Sequence, residues 1–298
     1  MTKLKGAFTA LVTPMKENGD LDYDGFRRLI NFQLEQGIDG LVPLGTTGET
    51  PTLEIDEEEK LIRIIIDEVK GKVPVVVGAG SNDTKHMLDF VRRAKDMGAD
   101  AAMVVTPYYN KPNDDGLLKH FEAAGGVGIP IMVYNIASRT GRNIPTNLME
   151  KIAAMPNIAA VKEASGDLSQ MAEVLEKIAM PSRTGADPFM VLSGDDSFAM
   201  PLMALGGDGV VSVIGNLVPA RIKALCQACL AGDFQEARRI HFELLPLMRT
   251  AFIETNPVPI KLAMSWAGLP AGPARLPMGK LDPKNEAPLR EAIKKLGF

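Results

Sequence analysis

The chain has 298 residues, 46% of them hydrophobic and 23% charged, a composition typical of a protein with a large core. This length suits two average domains or one (β/α)8 barrel of about 250 residues. The formal net charge of −4, without a basic cluster, argues against a nucleic-acid partner. No apolar run approaches the roughly 20 residues of a membrane helix, and residues 1–6 lack the hydrophobic core of a secretion signal. We therefore expect a cytoplasmic protein.

Eight short apolar segments predict eight strands, and a helix-like segment follows most of them. The predicted strands are residues 7–14, 40–44, 73–78, 101–107, 129–134, 157–162, 189–193 and 209–214. The predicted helices between them are residues 23–36, 56–69, 84–97, 115–124, a segment after Pro145, 168–178 and 197–205. Asp22 and Gly37 stand where the first of these helices should begin and end.

The order and spacing of these segments predict the fold class. Strands that alternate with helices every 25 to 35 residues or so indicate a parallel sheet. Their continuous hydrophobicity indicates that both faces of the sheet are covered. Eight such units fit a closed (β/α)8 TIM barrel of the α/β class better than an open sheet. We assign the barrel to residues 1–218, and the last barrel helix with a C-terminal helical extension to residues 219–298.

Lys162 ends the sixth predicted strand, directly after four apolar residues. If its amine were buried there, desolvation would lower its pKa, and a neutral amine can form a Schiff base with a ketone. The alternative is a lysine that reaches solvent from the strand end, and this segment alone favours that alternative because most lysines are solvated. Residues elsewhere in the chain must therefore decide.

The C-terminal ends of the parallel strands lie on one face of the barrel, and the active site of such a barrel is on that face. Polar residues at the other strand ends should therefore lie near Lys162. Residues 45–49 predict either a plain turn or a turn whose amide groups receive a carboxylate. Three of the four tyrosines fall at strand ends: Tyr108, Tyr109 and Tyr134. Arg139 lies in a glycine-bounded loop and suits recognition of a carboxylate, unless it is an ordinary surface arginine.

Motifs that bind metals or nucleotides are weak or missing. The first strand is not followed by G-x-G-x-x-G, and there is no Walker-type phosphate loop. Cys226 and Cys229 form a lone C-x-x-C that is better explained as two small core residues on one helix face. The histidines lie in helix-like segments without ligand spacing: His86, His120 and His241. We therefore expect neither histidine-based proton transfer nor a structural zinc site; the remaining lysine, tyrosines, threonines and arginine favour covalent amine catalysis with a hydroxyl proton relay.

Six segments together resemble the dihydrodipicolinate synthase family. They are residues 45–49 (GTTGE), 106–110 (TPYYN), 134–141 (YNIASRTG), 161–164 (VKEA), 193–196 (SGDD) and 254–261 (ETNPVPIK). The resemblance extends from about residue 6 to residue 276, with the segments in family order. N-acetylneuraminate lyase and related pyruvate-dependent aldolases share the turn and the lysine, whereas Tyr109 and the Arg139 loop favour the synthase.

The resemblance implies a condensation of pyruvate with L-aspartate 4-semialdehyde that needs neither metal nor cofactor. Lys162 would form the Schiff base with pyruvate. Tyr134 would relay protons while hydrogen-bonded to Thr46. Tyr109 would complete this hydroxyl chain from a neighbouring subunit, in a homo-oligomer that the resemblance implies to be a tetramer built as a dimer of dimers.

The resemblance also implies which residues bind the substrates. Thr47 would hold the carboxylate of pyruvate, and Arg139 the carboxylate of the semialdehyde. Gly194 and Val211 would line the pocket beside the lysine. Ala137 stands where the family often has a proline, so we expect a less rigid Arg139 loop.

Many bacterial members of the family are inhibited by L-lysine at the dimer interface. The positions that match this inhibitor site are Thr50, Pro51, Ile55, Glu58, Asn82, His86 and Tyr108. Ile55 replaces a polar residue, and His86 stands where lysine-sensitive members carry an acid. Loss of that charge-assisted hydrogen bond would cost on the order of 1.5 to 3 kcal/mol, about tenfold or more in affinity. We therefore expect weak or no inhibition by L-lysine.

Two alternatives stay open. The first is another pyruvate aldolase, acting on a sugar-like 2-oxo acid; Arg139 and Tyr109 argue against it, because a polyhydroxylated substrate needs hydroxyl partners instead of a carboxylate clamp. The second is a catalytically silent metabolite-binding barrel. The presence of Lys162, Tyr134 and Thr46 together argues against it, because a silent protein has no chemical reason to keep all three.

Overall fold

Eight parallel strands form a barrel in the computed structural model, which describes residues 4–298. The strands are β1 (Gly6–Ala10), β2 (Gly40–Val42), β3 (Val76–Gly78), β4 (Ala101–Val105), β5 (Ile131–Asn135), β6 (Ile158–Glu163), β7 (Met190–Ser193) and β8 (Gly209–Ser212). Neighbouring strands pair in chain order, and β8 returns to β1. β2 and β3 complete the ring through a bridge between Leu41 and Val75. The predicted (β/α)8 TIM barrel of the α/β class is confirmed.

Helices surround the barrel and continue beyond it. In chain order they are α1 (Tyr23–Glu35), α2 (Ile55–Val69), α3 (Thr84–Asp96), α4 (Asp114–Gly125), α5 (Ala137–Thr140), α6 (Thr146–Ala153), α7 (Leu168–Val174), α8 (Met180–Ser182), α9 (Asp196–Ala204), α10 (Pro219–Leu230), α11 (Phe234–Thr250), α12 (Val258–Trp266) and α13 (Pro283–Lys294). A π-helical segment, Leu175–Ala179, joins α7 to α8. α10 packs on β1 and β8 as the eighth barrel helix, and α11 packs on α9, α10 and α13.

Local sequence signals explain the boundaries of most elements. The side chain of Asp22 caps α1 by accepting a hydrogen bond from the Gly25 amide, as the sequence predicts. The first strand is shorter than predicted, because the Val12 amide donates to the Asn216 side chain instead of to a neighbouring strand. Leu11 and Val12 lie beyond the end of β1 and are nevertheless buried. α5, a single turn, was not predicted.

Two apolar cores result from the alternation of side chains along each strand. The inner core fills the barrel and includes Phe8, Met132 and Val211. The outer core lies between strands and helices and includes both cysteines of α10, Cys226 and Cys229, which are free and buried as predicted. Between residues 4 and 298, no helix is both long and apolar enough to cross a membrane.

Candidate active site

Lys162 points into the barrel from β6 and is only 5% exposed. Burial lowers the pKa of its amine to about 7; Arg139 lowers it further, whereas the Asp196 carboxylate acts in the opposite direction. An amine with this pKa is largely neutral at physiological pH and can attack a ketone. The alternative of a solvated lysine at this position is therefore wrong.

Tyr134 lies beside Lys162, because the two residues are register partners on the adjacent strands β5 and β6. The lysine Nζ lies 4.0 Å from the centre of the tyrosine ring. Burial raises the pKa of the Tyr134 hydroxyl to about 12, which Asp195 also favours, whereas Arg139 and a hydrogen bond with the Thr46 side chain lower it. Tyr134 therefore stays protonated near neutral pH and can pass a proton only while it receives another.

The turn at residues 45–49 follows β2 and faces the lysine. Two of its amides, those of Gly48 and Glu49, donate to carbonyl groups within the turn, at 3.0 and 3.1 Å. The amides of Thr46 and Thr47 donate to no acceptor among residues 4–298. The turn therefore presents two adjacent free amides and the Thr47 hydroxyl, the donors that a carboxylate needs.

The C-terminal extension supports this turn from behind. Asn256 donates from Nδ2 to the Thr47 hydroxyl at 2.9 Å. Lys261 forms an ion pair with Glu49, 2.7 Å from Nζ to Oε1, in which each side chain is 2% exposed. The backbone amide of Arg275 donates to the other oxygen of Glu49 at 2.8 Å. The extension thus fixes the turn that the barrel presents.

Arg139 reaches the same space from the single turn α5. Gly141, at a φ of 69°, ends this turn in a left-handed conformation that favours glycine. The Arg139 guanidinium donates from Nη2 to the Asn256 carbonyl at 3.4 Å, and the side chain is otherwise exposed. Its remaining N–H groups are available to an anionic ligand.

A cavity of about 430 Å³ lies between these groups. Its walls include Thr46, Thr47, Tyr134, Arg139, Lys162, Gly194 and Asn256. A Cβ at Gly194 would lie 2.8 Å from the Ala164 side chain and 3.1 Å from the Lys162 Cγ, so glycine leaves room for the lysine. Val211 lies deeper, fully buried in the inner core, and Val213 forms the wall instead. Among residues 4–298, no cluster of three or more His, Cys, Asp or Glu could hold a metal.

Comparison with known proteins agrees with this arrangement. The sequence model of the dihydrodipicolinate synthetase family matches residues 3–296. The chain belongs to this family. Its resemblance to the family is therefore confirmed over nearly the whole chain, and the alternative of a different pyruvate aldolase is not favoured.

Relatives within the family are similar over their full lengths. A 4-hydroxy-tetrahydrodipicolinate synthase of Nitratidesulfovibrio vulgaris (strain DP4) is 49% identical, over 98% of this chain and 98% of the relative. The crystal structure of the synthase from Aquifex aeolicus is 42% identical with a TM-score of 0.93, covering 98% of each chain. A structure described as the first monomeric dihydrodipicolinate synthase variant is 40% identical with a TM-score of 0.94, covering 98% of this chain and 97% of that one.

Tyr109 is not part of the cavity within one chain. Its side chain is 90% exposed, and its φ of 71° is uncommon for an aromatic residue. The structure therefore does not bring Tyr109 to Lys162 and Tyr134 within a single subunit. The predicted role of this tyrosine requires a second subunit.

A second cavity, also of about 430 Å³, adjoins the first and shares Thr46, Tyr134 and Arg139 with it. It brings together most positions of the predicted inhibitor site: Thr50, Pro51, Ile55, Glu58, His86 and Tyr108. Asn82 is not part of its wall. Burial raises the pKa of Glu58 to about 7, opposed by Arg93 at 3.1 Å.

Sequence reasoning missed the contribution of the C-terminal extension. In the sequence, residues 254–261 contribute only one segment of the resemblance, and nothing in that segment assigns a role to Asn256 or Lys261. The one available signal was a lysine within the otherwise apolar helical segment that became α12. Such a lysine requires a buried partner, but the sequence does not say which one.

Proposed function

We propose that this protein condenses pyruvate with L-aspartate 4-semialdehyde to give 4-hydroxy-tetrahydrodipicolinate, the first committed step of diaminopimelate and lysine biosynthesis. It is a lyase, like the relatives that carry the name 4-hydroxy-tetrahydrodipicolinate synthase. The observation that carries the assignment is the buried amine of Lys162, with a pKa near 7, beside Tyr134 in a cavity of substrate size.

The first half of the reaction activates pyruvate. The pyruvate carboxylate accepts hydrogen bonds from the turn at Thr46 and Thr47, which places its ketone against Lys162. The amine adds to the carbonyl carbon, and the resulting hydroxyl leaves as water with a proton supplied through Tyr134. Thr46, hydrogen-bonded to Tyr134, returns the proton along the same hydroxyl chain.

The second half of the reaction forms the carbon–carbon bond. The positively charged imine draws electrons from the methyl group, which loses a proton to give an enamine. The enamine carbon attacks the aldehyde of the second substrate, whose oxygen takes up a proton in place of the one that the methyl group lost, while Arg139 holds the carboxylate of this substrate. The amino group of this substrate then adds to the imine carbon, and the bond to Lys162 breaks, which closes the ring and restores the free amine.

Completion of the hydroxyl chain calls for a homo-oligomer. Tyr109 has a left-handed backbone conformation and a side chain that is 90% exposed, so its ring is accessible to a second subunit. A second copy of the chain would receive this ring in the cavity beside Thr46 and Tyr134. We propose a dimer as the smallest active unit and a tetramer, a dimer of dimers, as the assembly.

Regulation by L-lysine is expected to be weak. Residue 86, at the position where lysine-sensitive members carry an acid, is a histidine with a 71% exposed side chain, so this position offers no carboxylate to the ammonium group of a ligand. Ile55 adds an exposed apolar side chain to the same cavity. Half-maximal inhibition by sub-millimolar L-lysine in a steady-state assay would contradict this expectation.

One experiment tests the proposed function against its alternatives. The protein is incubated with pyruvate, reduced with borohydride and digested, and mass spectrometry locates the adduct, with Lys162→Met as the control. Untreated enzyme is then assayed with aspartate semialdehyde and, separately, with sugar aldehydes. We expect an adduct on Lys162 and turnover with the semialdehyde. The absence of an adduct would support a silent barrel, and turnover with sugars alone would support a different aldolase.

A further inference from the structure

A buried polar network lies behind the strand ends that carry Tyr134 and Lys162. We call it the outer network; it consists of the side chains of Asn135, Asn143, Glu163 and Gln170. Asn135 and Glu163 are fully buried in the outer apolar layer, outside the cavity. A buried carboxylate is unfavourable unless donors surround it, so this arrangement needs a reason that the reaction chemistry has not supplied.

The hydrogen bonds of the outer network connect β5 with β6. Asn135 donates from Nδ2 to both oxygens of Glu163, at 3.3 and 3.1 Å. The backbone amide of Ser165 donates to the same carboxylate at 2.7 Å. The Ala164 amide donates to the Asn135 carbonyl at 2.8 Å, which extends the strand pairing to the same level.

Consecutive residues of a strand face opposite sides of the sheet. Asn135 directly follows Tyr134, and Glu163 directly follows Lys162; both pairs are in register. A hydrogen bond between the outward-facing residues therefore holds the inward-facing residues at a fixed separation. On the inner side of the same two strands, the centre of the Tyr134 ring lies 4.0 Å from the Lys162 Nζ.

The same asparagine also closes the loop that carries Arg139. Its Oδ1 accepts a hydrogen bond from the Ile144 amide at 3.0 Å, and its Nδ2 donates to Asn143 at 2.9 Å. Asn143 in turn donates to Gln170 of α7 at 2.7 Å. One side chain thus links the proton relay, the amine and the arginine loop.

We propose that Asn135 and Glu163 are positioning residues for the imine chemistry. The outer network sets the separation of Tyr134 from Lys162 and anchors the base of the Arg139 loop. Neither residue contacts substrate. The proposal rests on the proposed function, because it assigns these residues to the alignment of the imine-forming pair.

Substitutions that swap the hydrogen-bond donor and acceptor between residues 135 and 163 distinguish a positioning role from a purely stabilising one. The Glu163 carboxylate accepts from both the Ser165 amide and Asn135 Nδ2, but the glutamine of E163Q keeps only one acceptor oxygen. When that oxygen accepts from Ser165, the new amide nitrogen faces Asn135 Nδ2, donor against donor. N135D on its own places two carboxylates together. The combination of N135D with E163Q restores one donor opposite one acceptor, and Gln170 can still donate to Asn143.

The main measurement is the single-turnover rate at which the borohydride-trapped pyruvate adduct forms. The melting temperature and the steady-state constants of each variant are measured alongside it. We expect E163Q to slow adduct formation by about tenfold to a hundredfold, as small misplacements of reacting groups do. KM for pyruvate should change less than about threefold, because the turn at residues 45–49 is untouched. The double variant should recover most of the lost rate.

Thr9→Val serves as the matched control. It removes another buried hydrogen bond of the outer layer, from Thr9 Oγ1 to Gln33 at 2.7 Å, far from β5 and β6. This variant should melt at a lower temperature and form the adduct at the wild-type rate. If E163Q does not fold, Gln170→Leu removes the half-buried end of the network and should give a smaller loss of the same kind.

Several outcomes would overturn the proposal. The proposal would be wrong if folded E163Q formed the adduct within about twofold of the wild-type rate, or if Thr9→Val lost as much of that rate as E163Q. It would also be wrong if the folded double variant formed the adduct no faster than E163Q. Failure of the wild-type protein to form any adduct would instead contradict the proposed function, so the two ideas fail separately.

Discussion

Desolvation of a single amine determines when this site is reactive. Burial lowers the pKa of Lys162 from 10.5 to about 7, and only the neutral amine attacks pyruvate. We therefore expect the rate of borohydride-trapped adduct formation to rise with pH through a midpoint near 7. A midpoint above about 9, nearer the ordinary range of lysine, would contradict the burial of the amine.

The same pKa shift carries a cost in stability with a defined sign. The unfolded chain binds more protons than the folded chain between the two pKa values, so folding is penalised most below about pH 7. The penalty fades as the pH rises towards 10.5, the ordinary lysine pKa. Lys162→Met should therefore melt at a higher temperature than wild type near neutral pH, and the difference should shrink in alkaline buffer. Lys119→Met, at an exposed lysine, is the control.

Thr47 and Thr46 should separate binding from chemistry. Thr47→Val removes a donor to the pyruvate carboxylate, a loss of about 1.5 to 3 kcal/mol for a charged acceptor. KM for pyruvate should rise about tenfold to a hundredfold, with a smaller change in kcat. Thr46→Val should instead lower kcat, because it breaks the hydroxyl chain at Tyr134. Equal effects on both constants in both variants would contradict this division.

Among the elements, α12 is joined to the turn after β2 by a buried ion pair. Removal of one partner from such a pair costs about 3 to 5 kcal/mol, because the other charge is left without compensation. Lys261→Met should therefore lower the melting temperature by roughly 10 °C. Addition of Glu49→Gln should restore part of this loss. A Lys261→Met protein that melts within about 2 °C of wild type would show that the pair does not stabilise the fold.

The elements also show what sequence reasoning can reach. β6 and its lysine were predictable, because four apolar residues before a glycine-bounded turn are a local pattern. Gly194, which the family resemblance places beside the lysine, lies in the cavity wall. The contacts of Asn256 and Lys261 with the turn could not be predicted, because their partners lie 209 and 212 residues away and such contacts leave no periodic pattern in the sequence. α5 was missed because a single turn is too short to show helical periodicity.

At the scale of the whole molecule, the active unit is expected to contain more than one chain. Tyr109→Phe and Lys162→Met should each be nearly inactive on their own. When the two variants are mixed under conditions that exchange subunits, a mixed dimer contains one site with both Lys162 and a donated Tyr109. We expect activity to return on mixing. A monomer in sedimentation experiments that has full activity would contradict this arrangement.

Long-range contacts also order events during synthesis of the chain. Thr47, Glu49 and Glu57 meet partners in the C-terminal extension that follow them by 209, 212 and 218 residues. A ribosome releases the barrel strands, Lys162 included, before it releases Asn256 and Lys261. Until then the turn that receives the carboxylate has no brace, and Glu49 lacks its cation. The growing chain therefore contains its nucleophile before the support of the carboxylate-binding turn has been made, and translation of the last segment completes this part of the site.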